Sequence, residues 1–247
     1  CDNTMFSASR PTTRAVGAGC GGGVFTAGGN VTGNVDNTSG SDGSGTVNLG
    51  STFNLSGTAG ATNSLLALNI NTGSGTSAIG GAVKATTTTL TGTGTATFAE
   101  DVTGTVAFGA AATASVAAQK KIVGAVTTSA DGQGTLTFAT ATATNTLASG
   151  NIGASGAALL ALNLDSGTTA GTTISLGGDI FARTVPIANT QTTAFGGDIT
   201  AATKVDITGD GTVNIAADKK IVGALDADGN KGTVNFAATT ADTVLVS

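Results

Sequence analysis

The chain has 247 residues, with 15 acidic side chains against 10 basic ones and a net charge of −5. It holds no His, Trp or Tyr, which removes the commonest general base and metal ligand, and it lacks the basic footprint that nucleic-acid binding requires. Charged residues make up only 10% while β-branched Thr, Val and Ile abound, the reverse of a disordered composition, so an ordered, β-rich chain is expected.

The first segment stands apart from the rest. It holds Arg10, Pro11, Arg14, the run Gly21–Gly23 and both cysteines, and it matches none of the repeats that follow. Residues 1–29 read as a non-repeat N-terminal cap or connector arm, because an open sheet end needs covering against uncontrolled pairing. Cys1 and Cys20 admit three readings. One is a disulfide, worth about 3 kcal/mol in the chain-entropy account, which implies an oxidising compartment. The others are a lipid-modified Cys1 and a pair of free thiols. The chain starts without Met, as a processed or trimmed product does. No run reaches the roughly 18 apolar residues of a membrane-spanning helix, so no transmembrane segment is expected.

From Asn30 onward, short alternating runs are separated by Gly, Asn, Asp and Ser. A Gly-Thr-x-x-apolar block recurs at Gly45–Leu49, Gly94–Phe98, Gly134–Phe138, Gly211–Ile215 and Gly232–Phe236. Each block puts apolar residues on one face and Thr or Asn on the other, which is the period-2 pattern of a strand. Phe98, Phe138 and Phe236 end three of the blocks, which raises the prospect of an internal aromatic stack; the alternative is that each ring fills its own local hole. Gly and Thr density disfavours helix, although the Ala-rich stretch Gly109–Ala118 has the composition of a short helical turn. Gly177-Gly-Asp-Ile180 recurs 19 residues later as Gly196-Gly-Asp-Ile199, and Gly211 recurs after 21 as Gly232. A period of about 20 residues predicts a right-handed, three-faced parallel β-solenoid over residues 30–247, of about eleven coils. With strands about 4.8 Å apart, that is a rod on the order of 50 Å long. Tandem β-sandwich domains of roughly 100 residues are the alternative, since short strands with frequent turns fit them too.

A longer repeat overlies the short one. Leu65–Asn69 recurs at Leu159–Asn163, 94 residues on, and Lys120–Ala125 recurs at Lys219–Ala224, 99 on. The offset drifts as loop insertions between fixed strands make it drift.

Gly211-Thr-Val-Asn-Ile215, Lys220-Ile-Val-Gly-Ala224 and Gly232-Thr-Val-Asn-Phe-Ala237 resemble the passenger repeats of rickettsial-type surface-layer-like outer-membrane autotransporters, the outer membrane protein B group. The resemblance covers residues 30–247 in style. It implies a secreted β-helical surface protein that coats the cell and acts in adhesion. The membrane barrel of that family has no counterpart in this sequence.

Candidate chemistry is sparse. Glu100 and Asp101 are an adjacent acidic pair, but neighbours on a strand point to opposite faces and do not form the facing carboxylates of a glycosidase. Asp226-Ala-Asp228-Gly-Asn230 is similar to the opening of a calcium loop. It lacks the bidentate Glu further on, and the same Asp-Gly text at Asp131 and Asp210 reads as turns. Gly21–Gly23 and Gly80–Gly81 lack the companions of a phosphate loop. The threonines at Thr86–Thr89, Thr91, Thr93 and Thr95 suggest a hydroxyl array of the ice-binding kind, though Thr is also simply a good exposed strand residue. No catalytic or cofactor site is therefore expected, and calcium at Asp226, Asp228 and Asn230 is the single metal candidate. The expected function is a non-enzymatic extracellular protein of the bacterial cell surface. It assembles with copies of itself into an S-layer-like lattice or filament. An adhesin passenger that meets the cell envelope or a host surface is the alternative.

Overall fold

The Gly-Thr-x-x-apolar blocks are strands, and they stack in parallel. The computed structural model describes residues 14–16, 23–37, 41–139, 143–164, 172–188, 190–227, 229 and 231–237. Cys1, Cys20, Asp228 and Asn230 lie outside them. The chain divides into two compact units, residues 1–116 and 117–247.

The first unit carries β1 (Arg14–Val16), β2 (Val24–Thr26), β3 (Val35–Asn37), β4 (Thr46–Leu49), β5 (Leu65–Asn71), β6 (Thr76–Ile79), β7 (Val83–Thr91), β8 (Thr95–Phe98), β9 (Val102–Phe108) and β10 (Thr113–Val116). β6, β8 and β10 form one parallel ladder, in which Thr76, Thr95 and Thr113 stand in register. β2, β4, β5, β7 and β9 form another. Single bridges join Val31, Leu55 and Ile79, and likewise Val35, Ala59 and Val83. β1 pairs in parallel with β3, so parallel pairing already begins within the first 29 residues.

Each coil sends three runs of side chains inward. Between residues 76 and 91 these are Ser77 and Ile79, then Val83 and Ala85, then Thr88 and Leu90. The alternation breaks at Thr86 and Thr87, where the β7–β9 register shifts and the strand bends onto a new face. In the next coil Gly104 occupies that bend with φ +110°, and a Cβ there would collide with the carbonyl of Ala85. Glycine is required at this approach.

The second unit carries β11 (Ile122–Val123), β12 (Val126–Thr128), β13 (Thr135–Phe138), β14 (Asn145–Ala148), β15 (Leu159–Leu164), β16 (Thr173–Leu176), β17 (Ile180–Ile187), β18 (Thr192–Phe195), β19 (Ile199–Ile207), β20 (Thr212–Ile215), β21 (Ile221–Ala227) and β22 (Thr233–Phe236). β13, β15, β17, β19 and β21 stack in one parallel ladder. β11, β14, β16, β18, β20 and β22 stack in the other. Both copies of Lys-Lys-Ile-Val-Gly-Ala enter through the same turn. The amides of Lys120 and Lys219 donate to the carbonyls of Ala117 and Ala216, and Gln119 and Asp218 sit at φ 63° and 59°.

Each unit is thus a parallel β-solenoid, as the 20-residue period predicts. Tandem sandwiches fail because they need antiparallel sheets, and every strand pairing given above is parallel. The period itself varies. Corresponding positions are 19 residues apart at Asp179 and Asp198 but 28 apart at Asn151 and Asp179. The Ala-rich stretch forms β10 rather than a helical turn, because Ala112, Ala114 and Val116 are needed inward in the core.

The core is a set of apolar columns. One runs Leu136, Leu162, Val185 and Val205; another runs Leu176, Phe195 and Ile215. Burying each such side chain contributes about 1.5–3 kcal/mol. The phenylalanines that end the blocks do not have one another as ladder neighbours. Phe98 has Ile79 and Val116 as ladder neighbours, Phe108 has Leu90, Phe138 has Leu164 and Phe236 has Ile215. A ring between aliphatic neighbours fills a coil that two rings one above the other would overfill, since cores pack at near-crystalline density.

Candidate functional site

The polar side chains of the corners tie each coil to the next. Oδ1 of Asn151 accepts the amide of Asp179 at 3.0 Å, Oδ1 of Asp179 accepts the amide of Asp198 at 2.9 Å, and Oδ1 of Asp198 accepts the amide of Lys220 at 3.1 Å. In the first unit Asn30 and Asn34 do the same for Asn54 and Thr58, both at 2.9 Å. A corner cannot use the strand ladder, so a stacked Asx side chain satisfies its amide. Beside the Asp corner, glycine stacks on glycine. A Cβ on Gly178 would come within 2.5 Å of the Gly150 backbone, and one on Gly197 within 2.5 Å of the Asp179 nitrogen. On the outer surface, Asn69 donates to Asn48 and Asn235 to Asn214, at 2.8 and 3.1 Å.

Three charged clusters appear that the sequence reading does not foresee. On β19, Lys204 Nζ lies 3.0 Å from Asp206 and 2.9 Å from Asp226. Asp226 and then Asp206 raise the pKa of Lys204 well above its ordinary value. Arg183 reaches Asp131 at 3.0 Å, 52 residues away in sequence. Its guanidinium, followed by the amide of Ala158, holds the Asp131 carboxyl below the usual range. Near Asp42, a polar notch of about 300 Å³ is lined by Asp42, Thr62, Ser64, Lys84, Thr86 and Thr103. The amide and hydroxyl of Ser64 lower the Asp42 pKa. Burial pushes the neighbouring Asp36 carboxyl up, but hydrogen bonds from Thr62, Asn63 and Asn37 together outweigh it and lower its pKa.

The residues singled out from sequence do not converge. Asp226 is on β21 and bonded to Lys204, which engages the one described carboxylate of the calcium candidate; Asp228 and Asn230 lie outside the described residues. Among the described residues no three His, Cys, Asp or Glu side chains come together in a metal-holding group. Glu100 and Asp101 form the corner between β8 and β9, where the Asp101 carbonyl accepts the amide of Val83 at 3.0 Å. Gly80 and Gly81 form a corner between β6 and β7, with no helix after them. The threonines of β7 do not share a face: Thr86 is exposed, whereas Thr88 is buried in the core. Registered threonines do occur elsewhere, at Thr173, Thr192, Thr212 and Thr233. Their companions two residues on are Ser175, Ala194, Asn214 and Asn235, so no regular Thr-x-Thr lattice forms.

The remaining candidate is the last described rung of the second unit. Val213 and Ile215 are fully buried on β20, but their ladder partners Val234 and Phe236 on β22 are only half-buried, and Leu225 on β21 is 40% exposed. An apolar trough of about 480 Å³ runs to this end past Leu176, Phe195, Ile215 and Phe236. Two leucines are also exposed at equivalent places, Leu66 at 48% and Leu160 at 45%. Their amides make the same bond, to the carbonyls of Gly45 and Gly134. No helix among the described residues is long and apolar enough to cross a membrane. No family model, no curated protein and no solved structure gives a significant match to the chain.

Proposed function

We propose that the chain is a non-enzymatic extracellular structural protein, a self-assembling subunit of a bacterial surface coat, built as an S-layer-like lattice or a filament. One observation carries the reading: several of the described polar and charged side chains are engaged in joining coil to coil. Asn151, Asp179 and Asp198 bind backbone amides of the next coil, Lys204 binds a carboxylate of the next coil, and Arg183 reaches past one coil to Asp131. Such a chain is suited to bearing load and presenting surface rather than to turning over a substrate. The resemblance of its repeats to outer membrane protein B passengers supports a place on the cell surface.

The polar notch at Asp42 and Lys84 favours a second reading, an adhesin passenger that holds a hydroxyl-rich ligand of a host or envelope surface. Negative-stain electron microscopy of the purified chain separates the two. Ordered sheets or filaments support the structural subunit. Isolated short rods at every concentration reject it in favour of the adhesin.

A further inference from the structure

The two units build the same acidic turn, and only one of them fills it. In the second unit the amide of Ala158 donates to Oδ1 of Asp131 at 3.1 Å, and the guanidinium of Arg183 donates to Oδ2 at 3.0 Å. In the first unit the amide of Ser64 donates to Oδ1 of Asp42 at 2.6 Å. The glycines that follow match as well. Gly132 donates to the carbonyl of Ala158 and Gly43 to that of Ser64, and both have φ +72°. The register pairs Leu159–Ala182 and Ala161–Thr184 place Arg183 across from exposed Leu160. The pairs Leu65–Ala85 and Ala67–Thr87 place Thr86 across from exposed Leu66 in the same way. Thr86 therefore stands where the other unit has Arg183.

That exchange leaves an opening. A Cβ on Gly132 would run into the Arg183 guanidinium, whereas one on Gly43 would meet only the Thr86 hydroxyl, at 3.5 Å. The space is the notch of about 300 Å³. Thr86 brings no cation to it, and among the described residues Asp42 forms no ion pair. The ammonium of Lys84 donates to the carbonyl of Ala61 instead, at 3.4 Å. We infer that the notch at Asp42 is a socket for a guanidinium group, the group that its counterpart at Asp131 already holds. The planar fork of a guanidinium suits a carboxylate better than an ammonium does, and an arginine stem can lie along an exposed leucine such as Leu66. A second carboxylate, Asp36, binds the amide of Thr62 at 3.1 Å, so two acidic groups gather at residues 62–64 against the one ammonium of Lys84, and a cation is still attracted. The inference is independent of self-assembly, and it names a ligand group other than the hydroxyl-rich one of the second reading.

The test is an NMR titration of the full-length chain with an end-blocked Gly-Arg-Gly peptide, read at the amides of Asp42, Gly43 and Ser64. The expected result is saturable shifts with a Kd on the order of millimolar, since an exposed ion pair is weak. The same peptide with uncharged citrulline in place of arginine should bind at least about tenfold more weakly. Ethylguanidinium separates the sources of the group. Tighter binding of the peptide points to an arginine of a partner protein, and equal binding to a free guanidinium compound; both support the socket. Thr86→Arg gives the chain its own plug and should abolish the shifts, as should Asp42→Asn, with the amides of β8 and β10 reporting that the coils stay folded. Arg183→Thr should open a second socket and add saturable shifts at Gly132 and Ala158. Equal binding of the citrulline peptide, or unchanged binding by folded Thr86→Arg, overturns the inference. If lactose moves the same amides and the arginine peptide does not, the socket falls while the hydroxyl-rich ligand of the adhesin reading stands. If neither moves them, both fall.

Discussion

Asp206 and Asp226 stand directly opposite each other on adjacent rungs, and both bind the ammonium of Lys204. Like charges in register across a ladder repel, so Lys204 converts an unfavourable pair into a favourable triad. Lys204→Met should lower the denaturation midpoint, and Lys204→Met/Asp226→Asn should recover part of the loss, because one repelling charge is gone. The loss should shrink in molar salt, where screening acts over a few ångströms. The Lys204 pKa is raised on folding, so its contribution is complete below the unfolded value of 10.5 and fades only as pH rises above it. Urea titrations of the single and double variants check this; equal midpoints for the two would refute the triad.

Acid should destabilise the fold through a small set of carboxylates. Asp36, Asp42 and Asp131 each have a folded pKa below the ordinary 3.8. A depressed carboxylate stabilises above its unfolded pKa, and that contribution disappears as pH falls through the folded one. The window therefore lies below pH 3.8. The triple variant Asp36→Asn/Asp42→Asn/Asp131→Asn should be less stable than wild type at neutral pH and should lose less between about pH 5 and pH 2. Melting temperatures across that range decide it, and parallel curves for variant and wild type would count against the assignment.

Gly197→Ala should be strongly destabilising, by about 2 kcal/mol or more, since its Cβ meets backbone that cannot move aside. The obstructing atoms belong to Gly178 and Asp179 in the coil before. Gly28→Ala is the control. It has no atom within 4 Å and no left-handed backbone, so its effect should stay within about 0.5 kcal/mol. Comparable midpoints for the two variants would mean that the glycine corner is looser than it looks.

Thr88 is a polar residue in an apolar column. It lies between Leu68 and Val106 and is fully buried, and its hydroxyl has no protein partner. Thr88→Val keeps the shape and removes the unmatched group, so it should stabilise the first unit by about 1–3 kcal/mol. Phe195→Ala is the opposite case. It opens a cavity between Leu176 and Ile215 and should cost about 3–5 kcal/mol. Chemical denaturation measures both, and a destabilised Thr88→Val would show that the hydroxyl is satisfied after all.

The strands were legible in the text because Thr-x-x-apolar alternation reports burial directly: Val47 and Leu49, Ala96 and Phe98, and Leu136 and Phe138 all point inward as read. The bends were not. Leu65-Leu66 and Leu159-Leu160 read as continuous apolar strand, yet Leu66 and Leu160 face solvent, because a bend resets which residues point inward. Coil length was legible only as an average, since corners absorb insertions without changing the ladder. The Lys204 triad was invisible for another reason. Asp226 meets Lys204 only through a register set 22 residues away, and no local pattern marks that pairing. The half-buried state of Phe236 lay hidden likewise, because the block that ends there is the same text as the buried ones.

The corner at Gly150, Gly178 and Gly197 is also a constraint on ancestry. A side chain at any of these positions would run into the backbone of the coil before. A lineage cannot alter one member of the column and wait for the others to follow. Duplication of a whole coil keeps the column intact, whereas single-site drift breaks it. A coil that is added to such a stack must therefore bring its corner glycine with it.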